Sequence, residues 1–428
     1  MMHMGLLQWV IFLLSLYPIM GAFFWFWGAI MYRIFIKEPK IVNEDSTKNA
    51  PMITIMIPAH NEEILIEKTI KYLFTEINYQ NYEVLVMDDG SSDDTPRILS
   101  QLQAEFPKLR VIRVEDNKGK AHAFNIGMFF AKGDYILSND ADTLPEPDAL
   151  KKYMSYFTNE ENINTAAVTA NMDVENRSSI LGKSQTVEFS SIVGIIKRSQ
   201  SAINNSMYAY SGANTMYKKA ALFEVGGFRQ DRATEDISIA WDQHLKGTVP
   251  TFAPEIKFHM TVPERLKELF RQRSRWAKGG TEVWLTNIMA FLKHPLKNKY
   301  QFTMFLDSTL SIIWSFFYVV STVIFIALMA GLLITGNYDA AIKYVGYSFL
   351  MITSEVIAGS VQLLTALILD FHGAKLKYWI FAPLYMMFYW IINPLTIVWT
   401  FVGAVKTILG RGSGTWKSPK REQAKTTS

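Results

Sequence analysis

Residues 53–63 read ITIMIPAHNEE, residues 84–94 read VLVMDDGSSDD and residues 135–142 read YILSNDAD. In each, an apolar run of strand length opens into a polar or acidic loop. Further short apolar runs at 111–114 (VIRV) and 166–171 (AAVTAN) read as strands of the same kind. Between them, Glu63–Thr75 and Thr95–Phe106 carry helical apolar spacing. Strands alternating with helical crossovers predict an α/β domain with a mainly parallel sheet. Ligands of such a sheet sit at the carboxyl ends of its strands. HNEE, DGSSDD and DAD all fall there.

On either side of this patterned middle the chain is nearly free of charge. Residues 1–32, 308–338 and 378–405 contain no Asp, Glu, Lys or Arg, and Glu355 is the only charge between 344 and 369. Each stretch exceeds the ~20 residues that carry a helix across a bilayer. Charged residues make up 19% of the 428, below the ~25% usual in soluble domains. A wholly soluble protein is excluded, and the enzyme-like middle excludes a simple multi-pass transporter. Cysteine is absent, which removes disulfides, Cys-ligated zinc and thiol nucleophiles. The net charge of +4 carries no nucleic-acid signature.

The expected organisation is therefore an N-terminal transmembrane helix (1–36), a polar linker (37–51), the α/β domain (52–262), a region of amphipathic interfacial helices (263–302), about three transmembrane helices (303–405) and a basic tail (406–428). The first stretch reads as a retained anchor: no basic segment precedes it, and Arg33 and Lys37 follow it. One crossing before the domain and three after it place the tail, with six Lys/Arg against Glu422, opposite the side that basic residues favour. One stretch being re-entrant or interfacial would resolve this, and Asn393-Pro394 suits a break in the last.

Four clusters carry chemistry. Asp88-Asp89-Gly90-Ser91 follows the second strand and, alone, is equally a turn. Asp140-Ala141-Asp142 puts two carboxylates two residues apart, a pair that suits a hard divalent cation, which takes its remaining ligands from phosphate and water. Thr234-Glu235-Asp236 reads as a helix N-terminus, with Thr234 as cap and the acids in the first turn. Gln272-Arg273-Ser274-Arg275-Trp276 offers Arg and Gln to a diphosphate and an indole to a sugar ring, or else a surface face with a buried Trp. His60, His122 and His259 lack metal-ligand spacing and read as structural. Asp307 reads as interfacial, while Glu355 divides between a polymer tunnel, a partner helix and an interface.

In the order DDGS, DAD, TED, QRSRW, the chain resembles the processive family 2 glycosyltransferases, membrane enzymes that polymerise sugars from nucleotide donors. The resemblance covers nearly the whole chain and includes IPAHNEE (57–63) and NKGKAHAFNIG (117–127). Residues 176–200, the SGAN loop (211–214) and TWKSPKR (415–421) look like those of the branch that makes bacterial poly-N-acetylglucosamine. The resemblance implies a GT-A type nucleotide-diphospho-sugar transferase domain beside transmembrane helices. It implies UDP-GlcNAc as donor, Mg2+ or Mn2+ as cofactor, a β-linked (1,6) biofilm exopolysaccharide as product, and synthesis coupled to export. Asp88 would bind uracil, with Asp89 as its adjacent fallback. Asp140 would bind ribose and metal, Asp142 the metal, and Lys120 the diphosphate. Asp236 would be the catalytic base, with Glu235, Ser211 and Gly212 on the acceptor side. Gln272, Arg275 and Trp276 would close over pyrophosphate and acceptor. The implied setting is the cell membrane, with the catalytic domain cytoplasmic and a small separately encoded membrane subunit as partner. Hyaluronan, chitin and cellulose synthases share the core motifs. A single-sugar transferase to a lipid acceptor would not need QRSRW, and a transporter with a dead transferase domain would not keep every acid.

Overall fold

The structure, a computed structural model, describes residues 6–39, 50–158, 164–204, 206–295 and 298–411. Most of the expected linker, and the tail from 412 with TWKSPKR, lie outside the described residues. The chain divides into two units: Ile36–Arg177 with Asn205–Pro263 and the residues from Thr407, and Met1–Phe35 with Ser178–Asn204 and Glu264–Lys406.

The first unit is built on eight strands: β1 (Ile53–Ala59), β2 (Tyr82–Asp89), β3 (Leu109–Val114), β4 (Tyr135–Asn139), β5 (Leu144–Pro145), β6 (Thr165–Val174), β7 (Asn214–Lys218) and β8 (Val249–Met260). Their order is β3-β2-β1-β4-β7-β6-β8-β5. The half from β3 to β4 is parallel. Beyond it the sheet is mixed, because β7 runs antiparallel to both β4 and β6 while β6 and β8 are parallel. β1 and β2 are buried on both faces, as strands flanked by crossover helices must be, so their runs are almost continuously apolar. Ile55, Ile57, Val84, Val86, Leu137, Val168 and Met216 form the centre of the core. Each such side chain, fully withdrawn from water, contributes about 1.5–3 kcal/mol.

Register positions the site. Ala59 lies beside Asp88, and Met56 beside Ser138, so the loops leaving β1, β2 and β4 emerge at one edge. Because β7 is antiparallel to β4, with Asn139 opposite Asn214, the residues just before β7 arrive at that same edge. Asn214 is buried, and its Nδ2 donates to the carbonyls of Ala170 and Asn171. Helices α2 (Ile66–Glu76), α3 (Thr95–Glu105), α4 (Lys120–Phe130), α5 (Ala149–Thr158), α8 (Lys219–Glu224) and α9 (Glu235–Leu245) complete this unit.

The second unit is helical. It comprises α1 (Leu6–Phe35), α6 (Ile180–Phe189), α7 (Ile196–Ser199), α10 (Leu266–Lys293), α11 (Lys299–Ile334), α12 (Tyr338–Leu369) and α13 (Ala382–Ile408). Four spans are long and apolar enough to cross a membrane: Phe12–Phe35, Gln301–Ile334, Tyr338–Gly373 and Leu376–Ile408. α6 and α7 belong to one bulged helix, widened to π geometry at Ser190–Ile195 and Gln200–Asn204. It crosses α1 closely: a Cβ added at Gly28 would lie 1.8 Å from Ser199 Oγ. The region expected to hold several interfacial helices forms the single helix α10, whose Trp284 and Phe291 rings stack on Phe305 of α11.

The expected break at Asn393-Pro394 is not there. α13 runs through Pro394, and the Asn393 carbonyl accepts from the Thr396 hydroxyl (2.9 Å). The break lies upstream, where Phe371, His372 and Gly373 all take positive φ. Lys375 braces it, with Nζ 2.8 Å from buried Asp370 and 3.9 Å from the Phe371 ring centroid.

Candidate active site

The site starts from β2. Asp88 and Asp89 are both buried, and each does structural work. Asp88 Oδ1 accepts from the Ser91 amide (3.0 Å), closing the turn after the strand, and its Oδ2 lies 3.9 Å from Arg113 Nε. Asp89 accepts from the amides of Lys118 (3.2 Å) and Gly119 (2.7 Å). Gly119 has φ 94°, a conformation glycine adopts readily, and caps α4. Asp89 thereby fixes the turn that presents Lys120, the first residue of α4.

Lys120 is the hub. Its Nζ donates to Asp140 Oδ1 (2.7 Å), pairs with Glu235 Oε1 (3.0 Å) and donates to the Gly212 carbonyl (3.2 Å). That uses all three of its donors. The Gly212 carbonyl also accepts from the Ser138 hydroxyl of β4, and the Gly212 amide donates to Asp236 Oδ2 (3.1 Å). Asp236 Oδ1 accepts from the Ile237 amide (2.9 Å). The backbone of one residue, Gly212, therefore ties the lysine, through its carbonyl, to Asp236, through its amide. A Cβ there would sit 2.8 Å from Glu235 Oε1 and 2.9 Å from Lys120 Nζ, so any side chain at this position would push both polar tips back.

Burial alone would drive the Lys120 ammonium down, but Asp140 and Glu235, with Asp236 behind them, outweigh it and hold it above its ordinary value. Burial pushes the Asp140 carboxyl up against the pull of Lys120, and Asp142 adds to the rise. Both side chains keep an exposed part, 28% for Lys120 and 35% for Asp140, so water moderates these effects.

Asp142 accepts from the hydroxyls of Thr143 and Thr261, each at 3.3 Å. Among the described residues, no three His, Asp or Glu side chains converge as a complete metal site. Asp140 and Asp142 nevertheless fit a divalent cation. They are two hard oxygen donors on one loop, and the cluster sets four carboxylates against one ammonium. Beside them, Asn139 Oδ1 is buried with no hydrogen-bond partner.

The structure thus brings Lys120, Asp140, Glu235, Gly212 and Asp236 into one network, with Asp142 at its margin and Asp89 supporting it. Ser211 is buried, its amide donating to Thr215 Oγ1 (3.1 Å). Thr234 stands at the N-cap of α9 as expected, but its hydroxyl makes no capping bond and is buried without a partner. Gln272, Arg275 and Trp276 lie on α10 in the helical unit. His60 Nδ1 bonds the Asp89 carbonyl (2.8 Å), and His259 lies 3.9 Å from Asp173, in keeping with structural roles. Ser138 and Thr261 were not marked out by sequence. A lone hydroxyl in the buried run YILSN is the signal that points to Ser138.

The fold matches that of a mannosyltransferase from Pyrobaculum calidifontis solved in complex with GDP-Man and Mn2+. The TM-score is 0.62 at 19% identity, over 85% of this chain and 98% of that one. Residues 54–226 match the glycosyl transferase family 2 domain. The class is therefore that of nucleotide-sugar transferases with a GT-A type domain. At the level of sequence, the poly-beta-1,6-N-acetyl-D-glucosamine synthase of Staphylococcus epidermidis is 33% identical over 418 residues, 95% of this chain and 97% of its own length. The synthase of the same name from Staphylococcus aureus (strain COL) is 32% identical over 416 residues, with the same coverage. The chain belongs to glycosyl transferase family 2.

Proposed function

We propose that this protein is a membrane-embedded, inverting glycosyltransferase that polymerises N-acetylglucosamine from UDP-GlcNAc into a β-1,6-linked biofilm exopolysaccharide and couples synthesis to export. The observation that carries this reading is the 33% identity to a synthase of that polymer across 95% of the chain. The reading places the protein in the cell membrane with its transferase domain on the cytoplasmic side, and a small membrane subunit as partner.

The site chemistry supports the reading. A sugar hydroxyl is a poor nucleophile, and a carboxylate within hydrogen-bond reach takes its proton as the new C–O bond forms. Asp236, oriented by the Gly212 and Ile237 amides, is that base. One base opposite the leaving group gives direct displacement, so an α-linked donor yields a β-linked product. Asp88 addresses uracil and Asp140 the ribose. Asp140 and Asp142 would hold Mg2+ or Mn2+, which when bound neutralises the charge growing on the departing diphosphate. Gln272 and Arg275 address pyrophosphate, and Trp276 stacks on the acceptor sugar.

The test uses membranes containing the protein, Mg2+ and radiolabelled UDP-GlcNAc, followed by periodate. A 1,6-linked GlcNAc chain keeps vicinal hydroxyls at C3 and C4 and is cleaved. A 1,4-linked chain resists, and that result would move the assignment to a chitin-like synthase. Absence of polymer, with the partner subunit supplied, would refute the reading.

A further inference from the structure

Within QRSRW, the family resemblance assigns roles to Gln272, Arg275 and Trp276 and none to Arg273. In the structure Arg273 is engaged on three sides. Its Nε donates to Glu188 Oε1 (3.0 Å) and its Nη2 to Glu188 Oε2 (2.7 Å), a two-pronged pairing of guanidinium and carboxylate. Its Nη1 donates to Gln272 Oε1 (2.6 Å). The guanidinium carbon stands 4.1 Å from the centroid of the Trp276 ring. Two edges and one face of the same planar group thus touch Glu188, Gln272 and Trp276.

The anchor of this arrangement is Glu188, on α6 just before the widened turn Ser190–Ile195. The Glu188 side chain is 7% exposed and that of Arg273 12%. Tyr385 and Tyr389 of α13 face both charges. Two residues further along, the Ser190 hydroxyl donates to Asp370 (2.8 Å), so the bulged helix is also held just beyond Glu188. A glutamate inside the apolar run TVEFSSIVGII is costly unless paired. Here the pairing has a geometric product: it fixes which way the Gln272 amide and the Trp276 ring face. With the guanidinium on one face of the indole, sugar stacking is confined to the other.

We propose that Glu188 and Arg273 are positioning residues for the acceptor, acting through Gln272 and Trp276. This rests on the polymerase reading above. An acceptor hydroxyl held out of line leaves the donor open to water. The anomeric C–O bond to UDP then breaks while a water oxygen bonds the anomeric carbon. The water proton passes to Asp236, and the products are free GlcNAc and UDP.

The test compares wild type with Glu188→Gln and Arg273→Lys in membranes, supplied with UDP-GlcNAc and Mg2+. UDP released, GlcNAc incorporated and chain length are measured together. The expected result is a rise of about tenfold in UDP released per GlcNAc incorporated, with shorter chains, the scale set by a misplaced reacting group. A merely structural role lowers both quantities in proportion and leaves their ratio and the chain length alone. That outcome overturns the proposal, as does failure of both variants to accumulate, which would make the pair a folding element. A wild-type protein that incorporates no GlcNAc would refute the polymerase reading itself. An active wild type with unchanged ratios in the variants would remove only the positioning role.

Discussion

Gly212→Ala separates packing from catalysis more cleanly than any other single change in the network. The added methyl carbon would lie 2.8 Å from Glu235 Oε1, 2.9 Å from Lys120 Nζ and 3.5 Å from Asp236 Oδ2. A comfortable contact needs about 3.4 Å, so both polar tips must retreat by roughly half an ångström. They are the ends of flexible side chains, and Gly212 does not take a positive φ, so the backbone accepts alanine. The cost in folding stability should stay below about 1 kcal/mol. The network has less slack. Lys120 is held at 2.7 Å by Asp140, and the Gly212 amide itself orients Asp236. A misplacement of ~1 Å costs ~100-fold in rate, so half of that predicts a loss of about tenfold, or ~1.4 kcal/mol of transition-state stabilisation. The assay is UDP release and polymer formation by detergent-solubilised protein, beside thermal unfolding of the same preparation. A variant with normal turnover would show that the tie between Lys120 and Asp236 does not set the rate. A variant that unfolds many degrees lower would show that the glycine serves the fold instead.

Three further outcomes follow from the same geometry. Asp236→Asn should abolish transfer while UDP affinity stays within about twofold, since the amide cannot take the acceptor proton; normal turnover would remove Asp236 from the mechanism. Asp142→Ala should weaken metal-dependent UDP binding by about tenfold or more, read by titration calorimetry with Mg2+ and Mn2+ in turn. His244 is buried, its Nε2 accepting from the Met207 amide (3.0 Å), and burial pulls its pKa down to about 4. Below the unfolded value of ~6.5 the unfolded chain takes a proton the folded one refuses, so stability should fall by roughly 3 kcal/mol between pH 6.5 and 4. Unfolding midpoints across that range, beside those of His244→Gln, would expose the slope, and identical slopes in both proteins would refute it.

The parallel half of the sheet was legible because each strand there is a local apolar run ending in its own polar loop. Asp88, Asp140 and the neighbourhood of the first strand could be placed by that rule alone. The second half was not legible in the same way. β7 and β8 carry no comparable run, and the loop just before β7 meets β4 across 74 positions, as the bond from Ser138 to Gly212 measures. That antiparallel pairing is what brings the SGAN loop to Lys120, and no local pattern announces it. The bulged helix escaped for another reason. Lys183, Glu188, Lys197 and Arg198 interrupt its apolar run, so it reads neither as a transmembrane stretch nor as an amphipathic helix. Its glutamate finds Arg273 85 positions away. Thr234 shows the limit of a local rule: the cap position is correct, and the hydroxyl still goes unused.

The route of the chain between β6 and β7 has a practical corollary. Ser178–Asn204 leaves the sheet, serves the helical unit and comes back, so neither unit is one continuous piece of sequence. A transferase domain cut out as residues 50–263 would carry a bulged helix stripped of α1, whose glycine at 28 is the seat for Ser199. Removing residues 178–204 as well would leave two ends to be rejoined by a designed turn. During synthesis, β7 emerges from the ribosome only after that helix, while its partner helices α10 to α13 are still unmade. Completion of the sheet is thus interleaved with assembly of the bundle.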